Sequence, residues 1–420
     1  MDWSEHAIFW HVYPLGFCGA PIREPDRDIP PQPRLRRLLN WLDYAVELGV
    51  NGLLLGPIFT SQTHGYDVLD QFRIDPRLGT EEDFAELVSQ ARARGLRLVL
   101  DGVFSHVGNE HPEFRRALQE GPDSEVAARF DIDWEAPDGP APRVFEGHGQ
   151  LVRLNHADPG VRDHAVAVMN HWLDRGIDGW RLDAAYSVDP SFWGTVLPRV
   201  RRNHPDTWFL GEVIHGDYAR FSWEAKMDSV TQYELWKGIW SSLREENLYE
   251  LDHALQRHDG FLESFIPQTF IGNHDVTRIA STLGPAGAVT ALAILLTVGG
   301  VPSIYAGDEQ GFTGIKREEL GGDDEVRPEF PEHPGELSSL GEGIHAAHRE
   351  LIALRRRHSW LHDAMVEMQE LENTRCRYQA VGTDAAEVLD VTIDLRPAPG
   401  GARVLIRDAD GVELWRQNAA

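Results

Sequence analysis

The stretch LRLVLDGVFSH, Leu96 to His106, decides how the fold is read. It begins as a leucine- and valine-rich run too short for a helix, the pattern of a strand buried on both faces. It ends in a carboxylate, a hydroxyl and an imidazole, a cluster that suits a metal site, a catalytic site or simply the polar end of a strand. The same order, apolar run then polar end, recurs along the chain. The other runs are AIFWHVY from Ala7, NGLLLG from Asn51, GWRLD from Gly179, TWFLGE from Thr207, a weaker MDSVTQY from Met227, PQTFIGN from Pro267 and VPSIY from Val301. Stretches of helical period lie between them, such as RRLLNWLDYAVELG from Arg36 and EEDFAELVSQARARG from Glu81, each closed by a glycine in the C-cap position. Eight β-then-α units predict an α/β protein, a (β/α)8 TIM barrel. A doubly wound sheet binding a dinucleotide is disfavoured, because no Gly-x-Gly-x-x-Gly follows the first strand.

Two segments interrupt the rhythm. Residues 104–155 read as an excursion after the third strand, with a Pro-, Gly- and acid-rich middle from Asn109 to Gly149. Gly311 to Gly341 forms a similar long connection after the eighth. From His362 the helical period gives way to alternating runs (RCRYQAV, EVLDVTIDL, ARVLIRD, VELWRQ) parted by turn residues. The expected division is therefore a catalytic barrel over 1–361 and a small antiparallel β domain over 362–420.

With 67 acidic against 40 basic residues and a formal charge of −27, the chain repels nucleic acid and anionic membranes, which leaves a neutral or cationic ligand. Cys18 and Cys376 lie far apart and are expected to be buried thiols. The N-terminal MDWSEHAIFWHVYP has neither a basic region nor an apolar core of signal-peptide length, so a cytoplasmic location is expected. GAVTALAILLTVGGVP from Gly287 is expected to be a buried helix entering a strand, not a membrane span.

In such a barrel the C-terminal ends of the strands converge on one mouth, so acids there are placed for chemistry. Asp101 ends the third strand, Asp183 the fourth and Glu212 the fifth, and Asp275 follows the seventh. Arg181 and Asp183, two apart on one strand, share a face, where the guanidinium is expected to keep the carboxylate ionised as a candidate nucleophile. Glu212, beside that charge in a partly apolar mouth, is expected to have a raised pKa and to act as general acid. A single Arg-x-Asp is more often a plain salt bridge; the joint pattern of acids carries the catalytic reading, and the asymmetry of the pair is that of glycoside hydrolysis.

These residues resemble the α-amylase family of glycoside hydrolases. DGVFSH (Asp101 to His106), GWRLDAAYS (Gly179 to Ser187), FLGEV (Phe209 to Val213) and FIGNHD (Phe270 to Asp275) are similar to that family's four signatures, in order. HGYDVLDQFRIDPRLGT, LVRLN and GGVPSIYAGDE are supporting matches. The resemblance implies Asp183 as nucleophile, Glu212 as acid and then base, and Asp275 as the acid that binds ring hydroxyls and stabilises the transition state. It makes Tyr66 a stacking platform, His106 and His274 hydrogen-bonding partners at the same subsite, Arg181 the group that orients the nucleophile, and Asp101 a supporting acid. A retaining mechanism would set the two reacting carboxyl groups about 5 to 5.5 Å apart.

The signatures also depart from the family. Where many members hold calcium through an asparagine and a histidine, this chain has Ser105 and Ser187, weak substitutes for carboxylate or carbonyl oxygen. No cofactor and no metal at that position are therefore expected; a calcium could bind elsewhere, for instance among the acids of Gly321 to Glu325, which are read first as a solvated loop. Tyr186 stands where endo-acting members often carry a lysine on the leaving-group side. The motifs look closest to the neopullulanase and cyclomaltodextrinase branch, but the first strand begins near Ala7, leaving no room for that branch's N-terminal domain, so a monomer and a homodimer are equally expected. The resemblance implies an oligosaccharide substrate and hydrolysis of α-glucosidic bonds. The competing readings are a transglycosylase or glucosyl isomerase using the same intermediate, and a non-catalytic carbohydrate-binding protein on the same barrel.

Overall fold

The computed structural model describes residues 3–23, 29–319 and 321–418. Eight parallel strands build the main sheet: β1 (Phe9–Val12), β2 (Gly52–Leu55), β3 (Arg97–Val103), β4 (Gly179–Asp183), β5 (Trp208–Gly211), β6 (Ser229–Val230), β7 (Gln268–Phe270) and β8 (Val301–Tyr305). Their order is β6-β5-β4-β3-β2-β1-β8-β7. A parallel bridge between Thr231 and Gln268 joins the two ends, supported by the Gln232 N–H donating to the Gln268 carbonyl at 2.9 Å. The barrel is thus nearly closed, and its weakest seam lies at the strand with the weakest sequence pattern.

The two-residue period of each strand sorts the barrel interior into levels. The register pairs Phe9 with Ser303 and His11 with Tyr305, Leu54 with Val99, Val99 with Gly179 and Asp101 with Arg181. At the N-terminal end Phe9, Leu54, Val99, Trp208, Leu210 and Val301 pack into a dry plug, with Trp3 against it. Phe9 stacks on Trp208 with ring centroids 5.3 Å apart. Gly52 makes room for the Phe9 ring, since a Cβ there would lie 2.5 Å from it. One step towards the C-terminal end the inward residues become His11, Asp101, Arg181 and Tyr305.

The helices show the expected stop and start chemistry. Thr80 and Asp83 form a reciprocal capping box on Glu81–Ala93, and Gly49 ends Leu42–Leu48 in the left-handed conformation. The helix expected from Arg36 is split: Arg34–Trp41 is 3-10 and only Leu42–Leu48 is α-helical. It starts after Pro33 with no side-chain cap, so i→i+3 bonds close its first turns. After β3 the excursion pairs His106–Gly108 with Leu151–Arg153 and carries the helix Pro112–Glu120. Val107, Phe114, Val126, Phe130 and Val152 give it a small core of its own.

The C-terminal sheet is an antiparallel meander of β9 (Met365–Leu371), β10 (Arg375–Val381), β11 (Val388–Asp394), β12 (Ala402–Asp408) and β13 (Glu413–Asn418). Its central strands bury alternate residues, Cys376, Tyr378 and Ala380 on β10 and Leu389, Val391 and Ile393 on β11. That face meets the helix Ile279–Thr297, where the Tyr378 hydroxyl lies 2.7 Å from Thr297 Oγ1. This helix is apolar all round because it is enclosed between barrel and sheet, and its residues from Gly287 to Thr297 are buried. It breaks at Gly284, whose φ of 69° and ψ of 171° are not helical.

Phe9→Ala empties the centre of the plug and is expected to cost about 3–5 kcal/mol. Urea unfolding followed by circular dichroism reads this as a lower midpoint with an unchanged folded spectrum, and an unmoved midpoint would mean that the ring does not support the barrel.

Candidate active site

The site is built around one guanidinium. Arg181 points from β4 into the mouth, where its Nη1 lies 2.5 Å from Asp101 Oδ2 and 3.2 Å from Asp183 Oδ1. Its Nη2 lies 2.6 Å from Glu212 Oε1. All four side chains are buried. Three of the strand-end acids are therefore ion-paired, and to a single cation. The charges do not balance, and this changes the expected electrostatics of Asp183. Burial, then the Glu212 charge, push its carboxyl well above the usual carboxylate range, and Arg181 offsets them only in part. The expectation that Arg181 simply keeps Asp183 ionised omitted the cost of desolvation. Asp183 therefore sits beside a second carboxylate on the same guanidinium, and Arg181 divides its charge between them.

The backbone between them is strained to hold the acid. Ala184, directly after Asp183, is left-handed at φ 45° and ψ 37°, costly for a residue with a Cβ. This conformation aims its N–H at Glu212 Oε2, 2.8 Å away. The other oxygen, Oε1, accepts the Tyr233 hydroxyl at 3.2 Å, and Asn273 Nδ2 donates to that hydroxyl at 2.9 Å.

Asp275 belongs to a second cluster. Its Oδ2 lies 3.0 Å from His274 Nε2, and its Oδ1 accepts Arg327 Nη2 at 2.7 Å. Burial alone would raise its pKa, but His274, then Arg327 and Arg181, outweigh it and hold the carboxyl well below the usual range. Tyr66 links the clusters: its hydroxyl donates to Asp101 Oδ2 at 3.1 Å and contacts His274 Nε2, and its ring lies parallel to that imidazole. His106 stacks on Phe145, 4.7 Å between centroids, and its Nδ1 faces Ser105 Oγ at 2.8 Å. Burial depresses its pKa to about 3, so the imidazole is neutral.

All eight residues named from the sequence thus come together at the C-terminal mouth. Arg327, Tyr233, Asn273 and Glu146 were not named. Asn273 adjoins His274 in the quoted motif, and Arg327 is the lone base in GGDDEVR, which were usable signals. Tyr233 closes the quoted run MDSVTQY, but only the helix it begins after β6 brings it to Glu212. The calcium position is poorly suited to a hard cation. The Ser187 hydroxyl donates to its own turn at Ala184 O, 2.8 Å away, and the Ser105 carbonyl accepts the Leu154 N–H at 3.1 Å. The acids of Gly321 to Glu325 are matched by bases: Asp323 with Lys316 and Arg327, Asp324 with Arg23 and Glu325 with Arg317.

Asp101 supplies a test of these electrostatics. Burial first, then Glu212, raise its pKa to about 7, against the opposing pull of Arg181. An unfolded chain releases that proton near the ordinary 3.8, so between these values the folded protein binds more protons and loses stability as the pH rises. In Asp101→Asn that loss is absent. Urea midpoints taken between about pH 4 and about pH 7 are expected to shift in favour of the variant as pH rises; a shift the other way would mean that Asp101 folds ionised.

Comparison with known proteins agrees with this geometry. The family model described as alpha amylase, catalytic domain, matches residues 34–144 and 144–339. The cyclomaltodextrinase of Geobacillus thermopakistaniensis is 30% identical, over 94% of this chain and 69% of its own. Neopullulanase 2 of Thermoactinomyces vulgaris is 30% identical over 85% of this chain, which spans 63% of that relative. Among solved structures, the ligand-free cyclic alpha-maltosyl-(1-->6)-maltose hydrolase from Arthrobacter globiformis superposes with a TM-score of 0.81 at 27% identity, covering 100% of this chain and 99% of that one. The chain belongs to the alpha-amylase family of glycoside hydrolases.

Proposed function

We propose that this protein is a retaining glycoside hydrolase that cleaves α-glucosidic bonds in maltooligosaccharides or related α-glucans. The observation that carries the reading is Arg181 gripping Asp183 and Glu212 at once, which sets two carboxyl groups side by side on neighbouring strand ends. Glu212 protonates the glycosidic oxygen as the C1–O bond breaks, and the Asp183 carboxylate attacks C1 to form a glycosyl ester. Glu212 then takes a proton from water, whose oxygen attacks C1 and expels Asp183, so two inversions return the α configuration. The low pKa of Asp275 keeps a negative charge beside the sugar as positive charge develops on the ring. The names of the relatives, cyclomaltodextrinase and neopullulanase, support an α-glucan as the substrate class. A location inside the cell fits the two buried free thiols Cys18 and Cys376.

Proton NMR of maltotriose digestion is expected to show the α-anomer first, and Asp183→Asn is expected to lower kcat by about 10⁴-fold or more while leaving the thermal midpoint nearly unchanged. Release of the β-anomer, or an Asp183→Asn variant with the wild-type rate, would overturn the assignment.

With Ser105 and Ser187 committed to protein partners, we also propose that catalysis needs no calcium at the family's position. Dialysis against EDTA is expected to leave rate and thermal midpoint in place; loss of either, restored by added calcium, would reject this.

A further inference from the structure

Glu146 is tied into the mouth from the excursion, and nothing in the hydrolytic steps above uses it. We propose that Glu146, held by Tyr186, is a specificity residue that binds hydroxyls of the leaving sugar. The proposal rests on the reading of Glu212 as the acid, because whatever adjoins Glu212 on the exit side adjoins the leaving oxygen. Tyr186 lies on the turn that grips the acid: Ala184 N–H donates to Glu212 Oε2 at 2.8 Å, and the Tyr186 N–H donates to the main-chain carbonyl of Glu212 at 3.2 Å. Its hydroxyl donates to Glu146 Oε1 at 2.6 Å. The preceding residue, Phe145, stacks on His106, so residues 145 and 146 span the mouth from the end of β3 to the turn after β4.

This span is held at a cost. Glu146 is left-handed at φ 46°, a conformation a residue with a Cβ rarely adopts, and Gly147 continues the turn at φ 82°. The two side-chain contacts hold the backbone there. Glu146 is nonetheless exposed, and among the described residues its Oε2 takes no hydrogen bond. An exposed carboxylate oxygen beside a phenol accepts strongly from neutral hydroxyls. The ligand chemistry is therefore a polyhydroxylated leaving group, a glucosyl unit, in contrast to an apolar aryl group.

Two substrates separate these cases. Maltotriose and p-nitrophenyl α-maltoside present the same maltosyl unit and differ in whether glucose or nitrophenol leaves. Glu146→Ala is expected to lower kcat/KM on maltotriose about tenfold more than on the aryl maltoside, the effect of losing one hydrogen bond to a charged group. Tyr186→Phe is expected to move the ratio the same way, and Glu146→Gln to restore most of it. A merely structural role would lower both substrates alike and leave the ratio fixed, which would overturn the proposal while the hydrolase reading stands. A wild-type protein that cleaves neither substrate would overturn both.

Discussion

One buried cation serving three carboxylates is the constraint on which the site depends. Arg181 cannot neutralise Asp101, Asp183 and Glu212 together, so the cluster carries excess negative charge in a place water barely reaches. Its protons are therefore held up to unusually high pH, as the raised Asp101 and Asp183 carboxyls show. In the proposed mechanism Asp183 must attack as a carboxylate, so the crowding that raises its pKa works against the attack, and Arg181 is the group that opposes it. The geometry follows from the strand period: Asp101 and Arg181 are direct partners across β3 and β4, and Asp183 is the next inward residue. Removing Arg181 would leave three buried acids without a counter-ion, so position and charge cannot be varied separately here.

Asp275 answers to different elements and has the opposite electrostatics. Its partners are His274 beside it and Arg327, which reaches in from the connection after β8. Arg327 also meets Asp323, and its guanidinium lies over the Tyr13 ring at 4.7 Å, so the connection is anchored to the end of β1. Asp101 and Asp183 are thus raised and Asp275 lowered in one mouth, because the first two share one cation with Glu212 whereas His274, Arg327 and Arg181 all bear on Asp275.

The contrast explains what could be read in advance. Barrel, excursion and terminal sheet were visible because each rests on a local period: apolar runs before polar ends, glycines after helices, and alternation in RCRYQAV and EVLDVTIDL. The acids at strand ends were visible because a barrel turns linear position into convergence. Charge balance was not visible, since it depends on how many acids share Arg181, a count that only the register across β3, β4 and β5 supplies. Tyr233 and Arg327 lie in stretches the sequence had marked, but their arrival at the site was hidden for a related reason. They reach the site from a helix and a long connection whose paths no local pattern specifies.

The same division of labour bears on hydrolysis against transfer. On the proposed assignment the leaving sugar would depart past Tyr186, and whatever attacks the glycosyl ester would arrive by that side. A wall that binds the hydroxyls of a departing sugar binds those of an arriving one equally well, because equilibrium affinity does not record the direction of travel. Glu146 would then act on both halves of the reaction, favouring a glucosyl leaving group in the first and a sugar acceptor over water in the second. Hydrolysis and transfer would differ in how long that side stays occupied, with the chemistry at Asp183 and Glu212 common to both.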